Sequence, residues 1–300
     1  MAAPEPHQHI SFFDAIEANK RNSIILIFVM ICLFIGMTIA ISYIFDLGIC
    51  GPVVGFLGIL LYTVIVYFQG SNMILMMSGA KEVQKQEQPF LFNVVEGLSL
   101  ASQIPMPKIY LIQDQSPNAF ATGRDPKNSA IAVTTGLLGM MNRQELEGVL
   151  AHEISHIANY DIRFSMFAIV FVGAIAMMGD LAGRFVWFGG DRRDRGNGGG
   201  AIILIALVFA ILGPIFAELI RLALSRQRES LADANGARLT RYPAGLASAL
   251  EKIKNASIPT QSATKTTAPL YFSDPFINKF GSLFATHPPL DERIKRLKSM

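Results

Sequence analysis

The chain has 300 residues, of which 51% are hydrophobic and 16% charged, with a formal net charge of +3 and a mean hydropathy of +0.38. Soluble globular chains carry roughly 25% charged residues, so this deficit points to a membrane protein. The small positive charge gives no argument for a nucleic-acid partner, and Cys32 and Cys50 show neither metal spacing nor a disulfide framework.

Taken in chain order, the first 23 residues form a tail in which His7 and His9 make no pattern. Ile24–Phe45 and Leu47–Phe68 are uncharged runs of 22 residues each, long enough to cross a hydrocarbon core of roughly 30 Å as helices. The first is too long and too far from the start for a signal peptide, and no small-residue cleavage site follows it. It is read as a retained membrane helix. Phe164–Leu181, with Asp180 near its end, and Ala201–Ile220, with Pro214 and Glu218 late in it, are two further runs. The expected architecture is α+β but mainly helical, a polytopic membrane protein with about four transmembrane helices.

Between the second and third runs, Gly70–Asp161 reads as a small α+β unit. Gln88–Gln103 has a helical apolar rhythm with Pro89 suited to a first turn. Lys108–Ile112 and Ser129–Thr135 read as strands of a small sheet. Asn142-Arg143-Gln144-Glu145 is a capping box, and Leu146, Val149, Leu150 and Ile157 follow at helical spacing. His152 and His156 therefore lie one turn apart on one helix face. Two imidazoles so placed can converge on one zinc ion, leaving room for a third protein ligand and a water. Glu153 points roughly 100° round the helix from His152, where it can take a proton from that water.

A metzincin continuation would need Gly at 159 and His at 162; Asn159 and Ile162 exclude it. Beyond the tail, His287 is the remaining histidine. After the fourth run, Glu229 and Asp233 stand four apart on a predicted helix. One acid on the metal and one holding a ligating histidine would satisfy such a site. Spacing alone equally fits a solvated acidic face beside Arg226 and Arg228. His287 reads either as a hydrogen-bond donor to an oxyanion or as a structural residue opening the last helix before Pro288 and Pro289.

His152-Glu153-Ile154-Ser155-His156 with Asn159 and Asp161 resembles the HtpX family of membrane-bound zinc metalloproteases. So do Ser225-Arg226-Gln227-Arg228-Glu229 with Ala232-Asp233, and His287-Pro288-Pro289-Leu290 with Glu292-Arg293-Ile294. The resemblance covers roughly residues 24–300. It implies a zincin-like catalytic domain holding one Zn2+ on His152, His156 and Glu229. It also implies Glu153 as catalytic acid/base, Asp233 as the carboxylate behind a ligand, and quality-control cleavage of misfolded or damaged membrane proteins. Asn118–Gly123 resembles the family's loop before the active-site strand, and Ser129–Thr135 is a candidate edge for pairing with substrate. A prenyl-type CAAX protease is the nearest alternative, though that group has more spans. A catalytically silent zinc scaffold has no need of Glu153. A transporter reading rests on Asp180 and Glu218 as intramembrane acids, and their places near helix ends fit the interface better.

Because His156 and Glu229 must meet, runs three and four form a hairpin that leaves and returns. The expected division is tail 1–23, spans 24–69, catalytic part 70–161, hairpin 162–221 and a second polar part 222–300. Lys20 and Arg21, Lys81 and Lys85, and Arg221, Arg226 and Arg228 place their flanks on the cytoplasmic side of the cell inner (plasma) membrane. The site then faces the cytoplasm. Arg184, Arg192, Arg193 and Arg195 at the hairpin tip run against the rule. Asp191–Gly200 lacks Gly-Lys-Ser/Thr and is a loop rather than a phosphate cradle. The basic end, Asp291–Met300, is expected to be a solvated helix.

Overall fold

The computed structural model describes residues 12–44, 48–188, 226–256, 258–264, 266–273, 275 and 288–300. Helices α1 (Phe12–Ile44) and α2 (Cys50–Met77) contain stretches long and apolar enough to cross a membrane, Ile16–Gly36 and Cys50–Met77. Only 11% of the apolar window of α2 is covered by protein. Its exposed Val53, Val54, Leu57, Leu61 and Val64 therefore need lipid rather than water. Two candidate spans, not four, are thus found among the described residues. The fourth apolar run lies outside them, as do His287, Asp191–Gly200 and the histidines of the tail.

Helix α1 reaches back into the segment read as tail. Asn19 and Ser23 are buried there, and Leu26, Met30 and Phe34 continue the same stripe at the i+3 and i+4 spacings of one helix face. That stripe packs on α6 (Asp161–Phe188), the third apolar run. Phe34, Tyr62 and Phe171 meet at 6.0–6.4 Å between ring centroids, joining α1, α2 and α6.

The sheet has the order β1-β2-β4-β3, built from β1 (Lys81–Glu82), β2 (Lys108–Ile112), β3 (Ala119–Asp125) and β4 (Asn128–Thr134). β2 and β4 are parallel, and the other pairs antiparallel. Period-two alternation gives the sheet two apolar faces. Ile109, Ala121, Ile131 and Val133 face the catalytic helices. Ile112, Phe120, Ala130 and Ala132 face the membrane helices. The sheet is thus the layer between the two. This corrects the expectation that Ser129–Thr135 is an edge: β4 lies between β2 and β3, because its residues are apolar on both faces. Asn118–Gly123, read as a loop, supplies most of the outer strand β3.

Helix α3 (Pro89–Ser102) starts on its proline and ends at Gln103 in the left-handed region (φ 57°). The short α4 (Thr135–Met140) leads into α5 (Arg143–Ala158), whose N-terminus carries the capping box of Asn142 and Glu145. Glu145 also accepts hydrogen bonds from Ser248 and Lys252 at 2.7 Å each, tying α5 to α8 (Pro243–Ala256). Burial alone would raise the Glu145 pKa, but the bonds from Lys252, Ser248 and the Asn142 N–H outweigh it and lower it. Glu145→Ala should destabilise the detergent-solubilised protein by about 1–2 kcal/mol. The carboxylate's contribution is complete above the ordinary carboxylate range and is lost as pH falls through the lowered value. Thermal unfolding midpoints of wild type and variant should therefore converge in acid.

Candidate metal centre

Three helices bring the site together. α5 carries His152, Glu153 and His156. α7 (Arg226–Thr240) carries Glu229 and Asp233, and α9 (Leu290–Lys298) closes behind them. Gly236 of α7 lies against the backbone of α5; a Cβ there would stand 3.1 Å from the His152 backbone nitrogen. Gly148 makes a similar approach to α8, where a Cβ would meet the Leu246 backbone at 2.7 Å. The Gly236 contact lets the acidic side chains of α7 reach the histidines, and the Gly148 contact seats α8 against the same helix.

His152 Nε2 and His156 Nε2 are 3.1 Å apart. Glu229 places Oε2 3.6 Å from the first and Oε1 3.5 Å from the second. One ligand atom from each of the three residues lies within 4.8 Å of the others. A tetrahedral zinc site with bonds of roughly 2.0–2.2 Å has edges of roughly 3.3–3.6 Å, close to these separations, so the donor set fits.

The hydrogen bonds behind the rings strengthen the fit. His152 Nδ1 is 3.0 Å from Asp233 Oδ1, and His156 Nδ1 is 2.9 Å from Asp161 Oδ2. Each Nδ1–H is thereby directed at a carboxylate, which turns both Nε2 lone pairs toward each other. Lone pairs at that separation repel unless a proton or a metal cation stands between them. Burial opposes charge on His152, but its bonds to Asp233 and Glu229 outweigh it, and the ring's pKa is raised to about 9. Burial likewise opposes charge on His156, and Asp161 overrides it. Asp233 would be raised by burial; instead His152 and Arg293 hold it well below the usual carboxylate range. The cluster is built to hold positive charge.

The structure therefore brings His152, Glu153, His156, Glu229 and Asp233 into one place, all but His156 being fully buried. It adds two residues whose roles the sequence reading left unstated. Asp161 opens α6 immediately after an 83° bend between α5 and α6. The turn holds Tyr160 at φ 62°, a left-handed conformation costly for a residue with a Cβ. Lys20 and Arg163 flank its ring at 4.4 and 5.0 Å. From α1, Asn19 Nδ2 donates to Asp161 Oδ1 at 2.6 Å and to the Asn159 carbonyl at 2.9 Å. A membrane helix thus grips the carboxylate that orients a histidine.

The other addition is Arg293, fully buried. Its guanidinium donates to both oxygens of Asp233, at 2.7 and 3.1 Å, and stacks 5.0 Å from Phe272. Arg296 donates to Asp233 Oδ2 at 2.7 Å. The basic end is therefore not a wholly solvated helix. Leu290, Arg293, Ile294 and Leu297 share one helical stripe, a signal that marked Arg293 as inward-facing.

Ala121 of β3, Glu153, Arg228, Leu270 and Phe272 line a small cavity of about 40 Å³ at the cluster. Phe272 N–H donates to the Ala119 carbonyl on the outer side of β3. By antiparallel alternation Ala121 presents its own N–H and carbonyl on that same side.

An HExxH helix whose two histidines meet a carboxylate in a trio that could hold a metal, in a chain with two helices apolar enough to cross a membrane, is the arrangement of a membrane metallopeptidase. The family follows from comparison with known proteins. The chain belongs to peptidase family M48, whose model matches residues 85–300, and to its HtpX branch. It is 50% identical over 291 residues to the protease HtpX homolog of Dictyoglomus thermophilum, covering 97% of this chain and 95% of that one. With the protease HtpX homolog of Streptococcus gordonii it shares 43% identity over 297 residues, covering 96% and 99%. Among solved structures, the crystal structure of S. mikatae Ste24p matches with a TM-score of 0.48 and 20% identity. That match covers 85% of this chain and 60% of the other.

Proposed function

We propose that the protein is a zinc-dependent endopeptidase of the cell inner (plasma) membrane that cleaves misfolded or damaged membrane proteins at the cytoplasmic face. The observation that carries this reading is the facing pair of Nε2 atoms, each backed by a carboxylate and joined by Glu229. In it, His152, His156 and Glu229 hold one Zn2+, and Asp233 and Asp161 fix the imidazole tautomers. Bound there, zinc supplies a Lewis acid that polarises a peptide carbonyl and lowers the pKa of water. Glu153, buried beside the trio, accepts the proton of the attacking water and returns it to the leaving amine. The outward edge of β3 at Ala121 offers the main-chain bonds that align an extended substrate with little sequence selectivity. His287 is kept as a candidate donor to the oxyanion and lies outside the described residues.

The experiment is digestion of casein by protein purified in detergent with chelator throughout, before and after zinc is added. Cleavage should be absent with chelator and appear as zinc approaches one ion per chain. Undiminished cleavage in chelator would sink the reading.

The proposed membrane arrangement has four spans, with 70–161 and 222–300 on the cytoplasmic side and 162–221 as a hairpin between them. The start of α1 meets the turn after α5, with Asn19 against Asp161, and the end of α2 packs on the sheet, with Leu75 in their shared core, which supports one side for both. Reporters after Met300 should behave as cytosolic, and reporters at Gly48 or Asn197 as external. A cytosolic Asn197 reporter would replace the hairpin with a re-entrant turn.

A further inference from the structure

A second cavity, of about 240 Å³, lies between the end of α2 and the membrane-facing side of the sheet. Three cations line it: Lys108 of β2, Arg124 of β3 and Lys127 in the β3–β4 turn. Ser71 and Asn72 of α2 and Ser129 of β4 supply hydroxyl and amide groups. Two carboxylates stand near these cations. Glu82 is 3.3 Å from Lys108, and Asp125 is 3.5 Å from Arg124. Three positive charges against two negative leave one in surplus, the complement of a single phosphodiester. The Lys108–Glu82 pair is largely exposed, whereas Arg124 and Asp125 are mostly covered.

The position of the cavity names the source of the phosphodiester. α2 carries no charge from Cys50 to Phe68, a run that already crosses a hydrocarbon core of roughly 30 Å, and a short polar stretch, Gln69–Asn72, follows. Its lining residues run from Tyr67 and Phe68 to Leu75, so the cavity opens where the apolar span ends and the headgroup layer begins. Tyr67 and Phe68 mark that level as interfacial aromatics do, and the Arg124 guanidinium lies over both rings at 5.3 and 4.8 Å from their centroids. Below them Leu61, Val64 and Ile65 are exposed on the helix surface, a track along which acyl chains can descend. A guanidinium lying over aromatics, with its Nε 3.5 Å from Asp125 Oδ2, suits phosphate oxygens through its remaining N–H groups.

We propose that this cavity seats the headgroup of an anionic phospholipid, with Arg124, Lys127 and Lys108 on the phosphodiester. It lies on the opposite face of the sheet from the catalytic helices, and its occupant would brace β3, the strand that borders the metal centre. The inference goes beyond the peptidase reading and stands or falls apart from it, since binding is read in chelator without any turnover.

The test uses the full chain in nonionic detergent with chelator. Short-chain phosphatidylglycerol, short-chain phosphatidylcholine, inorganic phosphate and a glutamate-rich peptide are the probes, read by native mass spectrometry and by the thermal unfolding midpoint. Wild type should retain one phosphatidylglycerol per chain, bind phosphatidylcholine more weakly because choline meets the cations, and gain thermal stability only with the former. Arg124→Gln with Lys127→Gln should weaken retention at least about tenfold, while Arg238→Gln with Lys295→Gln on α7 and α9 leaves it unchanged. If the double variant does not fold, Lys127→Gln alone, at an exposed turn, should still lower retention about threefold. Equal retention by all variants overturns the site. Displacement of lipid by inorganic phosphate at equal concentration assigns it to a free anion, and preferential capture of the acidic peptide assigns it to a protein segment; either overturns the lipid proposal.

Discussion

Glu153→Gln should lower peptide cleavage by roughly 100- to 10,000-fold, the range of a general acid–base contribution, while leaving zinc content at the wild-type level. The amide keeps the size of the carboxylate and a hydrogen-bonding oxygen but cannot accept the proton of the attacking water. Glu153 is buried in the last two turns of α5, beside the cavity that contains His152, His156 and Glu229. Neither histidine's carboxylate partner is Glu153, since those positions belong to Asp233 and Asp161. The substitution should therefore leave the ligand geometry alone. Paired measurements of bound zinc and casein turnover decide the matter. Activity within a few-fold of wild type would remove Glu153 from the reaction, and zinc loss would make it part of the metal-holding framework.

Much of the site was legible because its chemistry sits on local spacing. His152 and His156 share a face through the period of the helix, and the capping box at Asn142 fixes where that helix begins. Glu229 and Asp233 repeat the i+4 logic on α7. The family resemblance then told the two acids apart, which spacing left open, and the match to family M48 bears out the family. Less legible were contacts made across the chain. Asn19 reaches Asp161 over 142 positions, and no periodicity links a polar residue in a membrane helix to a turn after α5. Arg293 reaches Asp233 over 60 positions; its place on an apolar stripe was visible, but its overall charge suggested a solvated end. β3 was missed because its sequence, Ala119–Asp125, holds glycine and arginine where a strand usually shows β-branched residues. Its burial between the catalytic helices and the membrane helices, rather than propensity, makes it a strand.

The carboxylates around the histidines should differ in kind when removed. Glu229→Ala takes away one member of the trio and a negative charge from the site, so zinc should be held far more weakly and cleavage should vanish even with excess metal. Asp161→Ala leaves all three members in place but frees the His156 ring and leaves the Asn19 amide with the Asn159 carbonyl alone. Loss of such a partner typically costs about 10- to 100-fold in affinity or activity, so added zinc should restore part of the cleavage. Asp233 is the harder case. It accepts from Arg293 and Arg296 as well as facing His152, and breaking a buried ion pair from one side costs about 3–5 kcal/mol. Asp233→Ala should therefore unfold at lower temperature as well as lose zinc, with α9 loosened because its buried arginine has lost its main partner. Equilibrium dialysis against zinc, read beside thermal unfolding in detergent, separates the three variants. Wild-type zinc affinity in Glu229→Ala would remove Glu229 from the metal centre, and zinc-irreversible loss in Asp161→Ala would give Asp161 a direct place on the ion.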